Sequence, residues 1–221
     1  MEPYLSPERL APYIATTGGN KKLALRLYQW NIGLSGATYE ALHIFEVVLR
    51  NAIDRRLRSW NLTQTQRSSG RSFPAEWTLN PAPVLARLLR PALPEATGRA
   101  ALATATHHRQ PGHDDVVAQL TMGAWRYLLP DRDPGRRYLW RAALSQAFPR
   151  LQRPVEALVS DVDGLYRLRN RIAHLESILV LGRVNHYVAA MRRVLNEIDP
   201  VVESWFTSQQ RISAVIKSRP R

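Results

Sequence analysis

The chain has 221 residues, of which 45% are hydrophobic and 22% charged, a composition typical of a soluble globular protein that buries a core. It contains no cysteine, which excludes disulfides, thiolate zinc sites and cysteine nucleophiles, and favours a cytoplasmic protein. The formal net charge is +13, and all but three of the 31 basic residues are arginine. We therefore expect a nucleic-acid partner, the alternative being a basic pI that serves only solubility.

Neither a signal segment nor a membrane span is predicted. The sequence opens with Met1, Glu2 and Pro3 rather than with a basic and then apolar stretch. The longest strongly apolar run, 178–181, is far shorter than the roughly 20 residues that cross a bilayer.

Helical spacing of apolar residues recurs along the whole chain, and the alternation typical of strands is nearly absent. Ser6 followed by Pro7 predicts the start of a short helix that ends near Ile14. We expect Ser35 and Gly36 to separate a helix over 21–34 from a long one over 38–60. Residues 61–83 are rich in Ser, Thr, Gln and Pro, and predict a loop.

The second half of the chain is also predicted to be helical, which makes the expected fold all-α. The predicted helices cover 84–90, 95–107, 114–129, 135–148, 154–172, 180–197 and 201–216. We divide the chain into a short helix and turn over 1–20, one helical domain over 21–205 and a basic tail over 206–221. This tail either touches RNA or is simply frayed.

The most informative string is Leu168-Arg169-Asn170-Arg171-Ile172-Ala173-His174-Leu175-Glu176, at the end of an amphipathic helix. A second string is Glu46-Val47-Val48-Leu49-Arg50-Asn51-Ala52-Ile53-Asp54, and a weaker third is the glycine-aromatic stretch over 120–129. The first resembles the Arg-x(4–6)-His signature of HEPN ribonucleases. The second and third are similar to segments of the abortive-infection (Abi-like) proteins of that superfamily, and together the three cover most of the chain.

This resemblance implies a single HEPN-like helical bundle with N-terminal and mid-chain elaborations, acting as a metal-independent RNA endonuclease. It implies a homodimer, no cofactor, tRNA as the likeliest target class, and a toxin or phage-defence role with an antitoxin or regulatory partner. His174 would be the acid–base residue, because a histidine pKa of about 6.5 suits proton transfer near neutral pH. Arg169 would stabilise the phosphorane-like charge, and Asn170 would orient the histidine or hold a phosphate.

Helix geometry limits how these residues act together. At 3.6 residues per turn, Arg169 and His174 are separated by roughly 140° around the axis. Either the helix distorts near Ala173, or Arg169 reaches around it, or a second subunit completes the site, which is the arrangement the resemblance favours. Without the resemblance, a basic residue near a helix C-terminus and a surface histidine favour an ordinary helix end.

Further residues are expected to support this site. Glu46 lies at the edge of an apolar stripe, where an unpaired carboxylate is costly. It therefore either pairs with Arg50 and Arg169 to support the active arginine, or makes an ordinary ion pair. The remaining candidates are Asn51 and Glu176 as supporting residues and Arg167 and Arg171 as RNA-binding residues.

The other histidines and the aromatic residues are not expected to take part in catalysis. His107, His108 and His113 are expected to be solvated loop residues rather than metal ligands. Trp30, Tyr39, Phe45 and Trp60 are expected in the core, and core packing is favoured over base stacking for Trp125, Tyr127 and Tyr166.

Two rival function classes remain. A non-catalytic RNA-binding or adaptor protein would keep the same fold. A DNA-binding regulator is permitted by the charge, but no helix-turn-helix with a short glycine turn is found. The sequence also lacks a Gly-Lys-Ser/Thr phosphate loop, a G-x-S-x-G elbow and an H-E-x-x-H pair.

Overall fold

The computed structural model describes residues 4–106 and 108–220, with the backbone alone at Leu181. In these residues the fold is all-α, as predicted, with no strand and one isolated bridge between Thr65 and Ser72. No helix of this part of the chain is long and apolar enough to cross a membrane. The helices are α1 (Pro7–Thr16), α2 (Lys21–Leu62), α3 (Pro83–Leu88), α4 (Ala92–Ala105), α5 (His113–Gln119), α6 (Met122–Leu128), α7 (Pro134–Ala142), α8 (Val155–Ala173), α9 (Leu181–Ile198), α10 (Pro200–Gln209) and α11 (Ile212–Lys217).

Helix α2 is continuous over 42 residues, so the predicted break at Ser35 and Gly36 is wrong. The Asn20 side chain caps its start by accepting a hydrogen bond from the Leu23 N–H at 3.0 Å. The buried stripe runs through the expected break, with Leu34 and Ala37 both in the core. A glycine inside a helix costs only about 1 kcal/mol, which this burial outweighs.

Three of the predicted helices are interrupted. Extended backbone at Leu120 and Thr121 separates α5 from α6, and α7 gives way to a 3₁₀ turn over Leu144–Ala147. Extended backbone at Gln210 divides α10 from α11. The apolar spacing is similar on both sides of each interruption, so periodicity alone did not reveal these changes of direction.

The C-terminal segment is docked rather than frayed. Phe206 and Ile212 are fully buried, and the Trp30 indole N–H donates to the Val215 carbonyl at 2.7 Å. Arg211 pairs with Glu40 of α2 at 2.6 Å. The tail therefore covers the first half of α2, and the interpretation as a frayed end is wrong.

Helix α8 runs back along α2. Its buried stripe consists of Leu158, Asp161, Val162, Leu165, Leu168 and Ile172. Arg169 lies near Glu46 of α2, and the Ile178 N–H just beyond α8 donates to Asn31 of α2 at 3.0 Å. Because the two helices are antiparallel, the C-terminal end of α8 lies beside the N-terminal half of α2.

Two expectations about individual side chains are wrong. His113 is only 4% exposed, with Nε2 2.9 Å from Asp54 Oδ1 and Nδ1 2.9 Å from Thr78 Oγ1, so it is not a solvated loop residue. His108 is exposed, and His107 lies outside the described residues. Tyr39 is 44% exposed rather than part of the core.

The buried His113 joins α5 to α2 and to the loop before α3. Asp54 Oδ1 also accepts a hydrogen bond from the Trp77 indole at 2.7 Å, so removing the imidazole leaves a buried carboxylate short of a partner. We expect His113→Ala to lower the free energy of unfolding by about 3 kcal/mol, measured by urea denaturation. The adjacent, exposed Asp114→Ala is the control and should change it by less than about 0.5 kcal/mol. Equal effects of the two variants would contradict this role.

Candidate active site

The C-terminal end of α8 is a Schellman turn with His174 as the capping residue. The Glu176 N–H donates to the Arg171 carbonyl and the Leu175 N–H to the Ile172 carbonyl, both at 2.9 Å. Leu175 has a φ of 59°, a left-handed conformation that usually requires glycine. The helix is regular up to Ala173, so the predicted alternative of a distortion near Ala173 is wrong.

Side chains from two helices hold this turn in place. Arg171 Nε lies 3.2 Å from the Glu176 carboxylate, and its Nη2 donates to the Ser177 carbonyl at 3.0 Å. Arg9 of α1 donates to the Leu175 carbonyl at 2.7 Å. Arg171 and Glu176, expected at the site as RNA-binding and supporting residues, therefore shape the turn that presents the exposed His174.

Arg169 is partly buried and has unused hydrogen-bonding capacity. Its Nε is buried and makes no hydrogen bond, and no ion pair within 4.0 Å joins its guanidinium to a carboxylate of the described residues. Each of the other arginines with a buried, unbonded Nε has a carboxylate partner: Arg126 with Asp163, Arg136 with Asp131 and Arg171 with Glu176. A partly buried cation without such a partner can accept an anionic ligand.

The Glu46 carboxylate interacts electrostatically with several basic side chains of this region. Burial raises the pKa of the Glu46 carboxyl, against the opposing effects of the Arg169, Arg50 and His43 charges and of a hydrogen bond from the Met122 backbone. Met122 begins α6, so Glu46 connects α2, α6 and α8. Both predicted roles for Glu46 required an ion pair, and among the described residues its carboxylate forms none within 4.0 Å, so its effect on Arg169 is electrostatic at longer range.

The candidate residues do not all converge. Arg169 and Arg50 both lie near enough to Glu46 to influence its carboxyl, whereas Asn51 lines a hollow with Asp54 and Arg58. Asn51 Oδ1 accepts a weak hydrogen bond from Arg50 Nε at 3.4 Å.

On α8, Arg167, Asn170 and His174 share the outward face, roughly 100° to 160° from Arg169 around the axis. Arg167 is ion-paired with Asp163. One copy of the chain therefore offers Arg169 and His174 on different sides of the same helix.

His43 and the start of α6 were missed at the sequence level. His43 is exposed and lies one turn before Glu46 on the same face of α2. Its spacing from Glu46 could have identified it, but the approach of Met122 depends on the turn between α5 and α6. Among the described residues, no group of three or more His, Cys, Asp or Glu side chains could hold a metal ion.

A groove of about 960 Å³ adjoins the His174 turn. Ala173 and Leu175 form one wall, and α1 and the first half of α2 form the other. Its polar and aromatic lining includes Tyr4, Arg9, Tyr13, Tyr28, Asn31, Ser35, Tyr39 and Glu176. The groove therefore lies beside the turn, and neither His174 nor Arg169 is among its lining residues.

The raised pKa of Glu46 has a consequence for stability. Between the unfolded value of about 4.5 and the higher folded pKa, the folded state binds more protons, so the stability contributed by Glu46 falls as pH rises through this window. We expect Glu46→Gln to gain stability relative to wild type as pH is raised from 4 to 8, measured by urea unfolding at each pH.

Glu40→Gln is the matched control on the same helix. A hydrogen bond from Arg211 lowers the pKa of Glu40, so the stability of Glu40→Gln relative to wild type should fall as pH rises, which is the opposite direction. A difference between Glu46→Gln and wild type that does not vary with pH would contradict the raised pKa.

Comparison with known proteins adds no family assignment to this geometry. No family model, curated protein or solved structure matches the chain. The resemblance of its segments to Abi-like HEPN proteins therefore stays a prediction.

Proposed function

We propose that this chain is a metal-independent RNA endonuclease in which Arg169 binds the scissile phosphate and His174 transfers protons. The observation that carries the proposal is the partly buried Arg169, which has a buried Nε without a hydrogen bond and, among the described residues, no carboxylate within 4.0 Å. Glu46 lies near enough to influence it electrostatically without forming an ion pair. A guanidinium without a close carboxylate is suited to the non-bridging oxygens of a phosphodiester, which would approach its Nη groups because Nε is buried.

The reaction proposed is attack of a ribose 2′-oxygen on the adjacent phosphorus. A base removes the 2′-hydroxyl proton, the bond from phosphorus to the 5′-oxygen breaks, and an acid protonates this leaving oxygen. The products are a 2′,3′-cyclic phosphate and a 5′-hydroxyl end. The exposed imidazole of His174 has the chemistry for either proton transfer, and Asn170, one turn earlier on the same face, would hold a phosphate or orient the imidazole.

A homodimer would supply the second group that this reaction needs. Since α8 is regular to Ala173, Arg169 and His174 of one copy point in directions roughly 140° apart. A two-fold arrangement of α8 helices would bring His174 of one copy toward Arg169 of the other. In the biological setting that the resemblance favours, the enzyme is a toxin or phage-defence effector that acts on tRNA and is restrained by an antitoxin or regulatory partner.

Alanine variants test the two central residues. We expect Arg169→Ala and His174→Ala each to lower the cleavage rate by about 10²- to 10⁴-fold, because each removes a charge-stabilising or proton-transfer group. The assay is digestion of total bacterial RNA in chelator, followed by mapping of fragment ends for 2′,3′-cyclic phosphate.

Arg192→Ala and His186→Ala are matched controls on α9, and both residues are exposed. They should cleave like wild type. RNA cleavage by both site variants at the wild-type rate would refute the proposal, and tight RNA binding without cleavage by wild type would favour the adaptor function.

Mixing the two inactive variants tests the shared site. If each site combines Arg169 of one copy with His174 of the other, a heterodimer of the two variants contains one intact site. Equal mixing should then restore about one quarter of wild-type activity, given free exchange of subunits. A site contained within one copy predicts no recovery, so continued inactivity of a mixture with demonstrated exchange would contradict the shared site.

A further inference from the structure

A cluster of two arginines and one tyrosine lies on the surface beside α8, outside the site described above. The Arg126 guanidinium carbon lies 4.6 Å from the centre of the Tyr127 ring, and that of Arg136 lies 5.1 Å from it. Tyr127 is 46% exposed, which corrects the expectation that it packs in the core. We call Arg126, Tyr127 and Arg136 the arginine–tyrosine cluster.

The two arginines are held in place by single carboxylates and keep further donors. Arg126 is ion-paired with Asp163 of α8, and Arg136 with Asp131 at 2.5 Å. The Nε of each is buried and unbonded. A ligand cannot reach these buried atoms, but the two side chains are 24% and 19% exposed. Because a guanidinium has five N–H donors, one carboxylate leaves part of this exposed remainder available to a second acceptor.

The cluster is connected to the proposed active site along one face of α8. Asp163, which binds Arg126, also pairs with Arg167, and Asp163, Arg167, Asn170 and His174 follow one another at helical spacing. The rise from Asp163 to His174 is about 16 Å at 1.5 Å per residue. An extended nucleic-acid strand that reaches His174 could therefore continue along this face to the cluster.

We propose that the arginine–tyrosine cluster binds an unpaired nucleotide of the RNA substrate at a distance from the cleaved bond. The base would take the place of one guanidinium over the Tyr127 ring, and Arg126 and Arg136 would contact the flanking phosphates. Two more exposed arginines, Arg132 and Arg137, line the hollow beside Asp131 and extend the basic surface. The proposal rests on the proposed function for the identity of the substrate as RNA.

This arrangement selects single-stranded RNA. In a duplex, the bases are stacked on each other and their faces are not available to an aromatic side chain, whereas the bases of loops and ends can be splayed onto one. We therefore expect the substrate to be an unpaired segment of RNA, such as a loop.

Binding assays on the inactive His174→Ala protein test the stacking role. With a fluorescent single-stranded RNA of mixed sequence, we expect Tyr127→Ala to raise Kd roughly tenfold or more and Tyr127→Phe to leave it near the parent value. Tyr138→Ala is the control, because Tyr138 is 42% exposed and packs against Trp60 rather than between arginines. Binding of a blunt RNA duplex should be insensitive to all three changes.

The salt dependence of binding tests the arginines separately from the ring. Arg136→Gln should reduce the slope of log K against log salt by about 0.7, the value for one phosphate contact to a single strand, whereas Tyr127→Ala should leave the slope unchanged. Arg192→Gln, which breaks the similar pair with Glu203 at 2.6 Å, is the matched control. Thermal unfolding of each variant checks that the fold is retained.

The outcomes separate this inference from the proposed function. Wild-type cleavage together with unaltered RNA binding by Tyr127→Ala and Arg136→Gln overturns the cluster's role and leaves the nuclease standing. Tyr127-dependent binding of single strands without any cleavage by wild type supports the cluster and overturns the nuclease. A protein that binds no RNA overturns both.

Discussion

The structure depends on the uninterrupted apolar stripe of α2. At 1.5 Å per residue this helix is about 60 Å long, and it contributes the largest series of buried side chains, from Ala24 to Trp60. The C-terminal segment packs on its first half through Trp30 and Val215, and α8 packs antiparallel along its middle. Because both elements use the same helix as a support, the position of the His174 turn is set by where α8 lies along α2.

The candidate site is formed where polar residues interrupt this contact between helices. Glu46 is too buried to be solvated fully and forms no close ion pair within the described part of the chain. Burial therefore raises the pKa of its carboxyl despite the nearby Arg169 and Arg50 charges. A packed apolar contact at this position would avoid the desolvation cost that Glu46 carries. Charged groups at a contact between helices are therefore more typical of a ligand-binding site than of a contact that only stabilises the fold.

The sequence predicted the helical class and the loop after α2, because periodicity and composition are local properties. It also indicated that Glu46 needs a cationic neighbour, because a carboxylate lies there at the edge of an apolar stripe. It did not predict the continuity of α2 through Ser35 and Gly36. The local sequence allows either a break or a continuous helix there, and burial against segments distant in sequence favours the continuous helix. His113 was misplaced for the same reason. Its partners Asp54 and Thr78 are far from it in sequence, and only the folded chain brings a carboxylate and a hydroxyl to the two ring nitrogens.

The turn after α8 presents His174 on a side of the helix roughly 140° away from Arg169. Leu175 adopts a positive φ, which costs a non-glycine residue about 1 kcal/mol or more. Arg9, Arg171 and Glu176 hold this conformation with hydrogen bonds and an ion pair. These contacts fix the backbone of the turn that carries the exposed His174. In the homodimer that we propose, a second copy of the chain would bring its Arg169 toward this histidine without disturbing either turn.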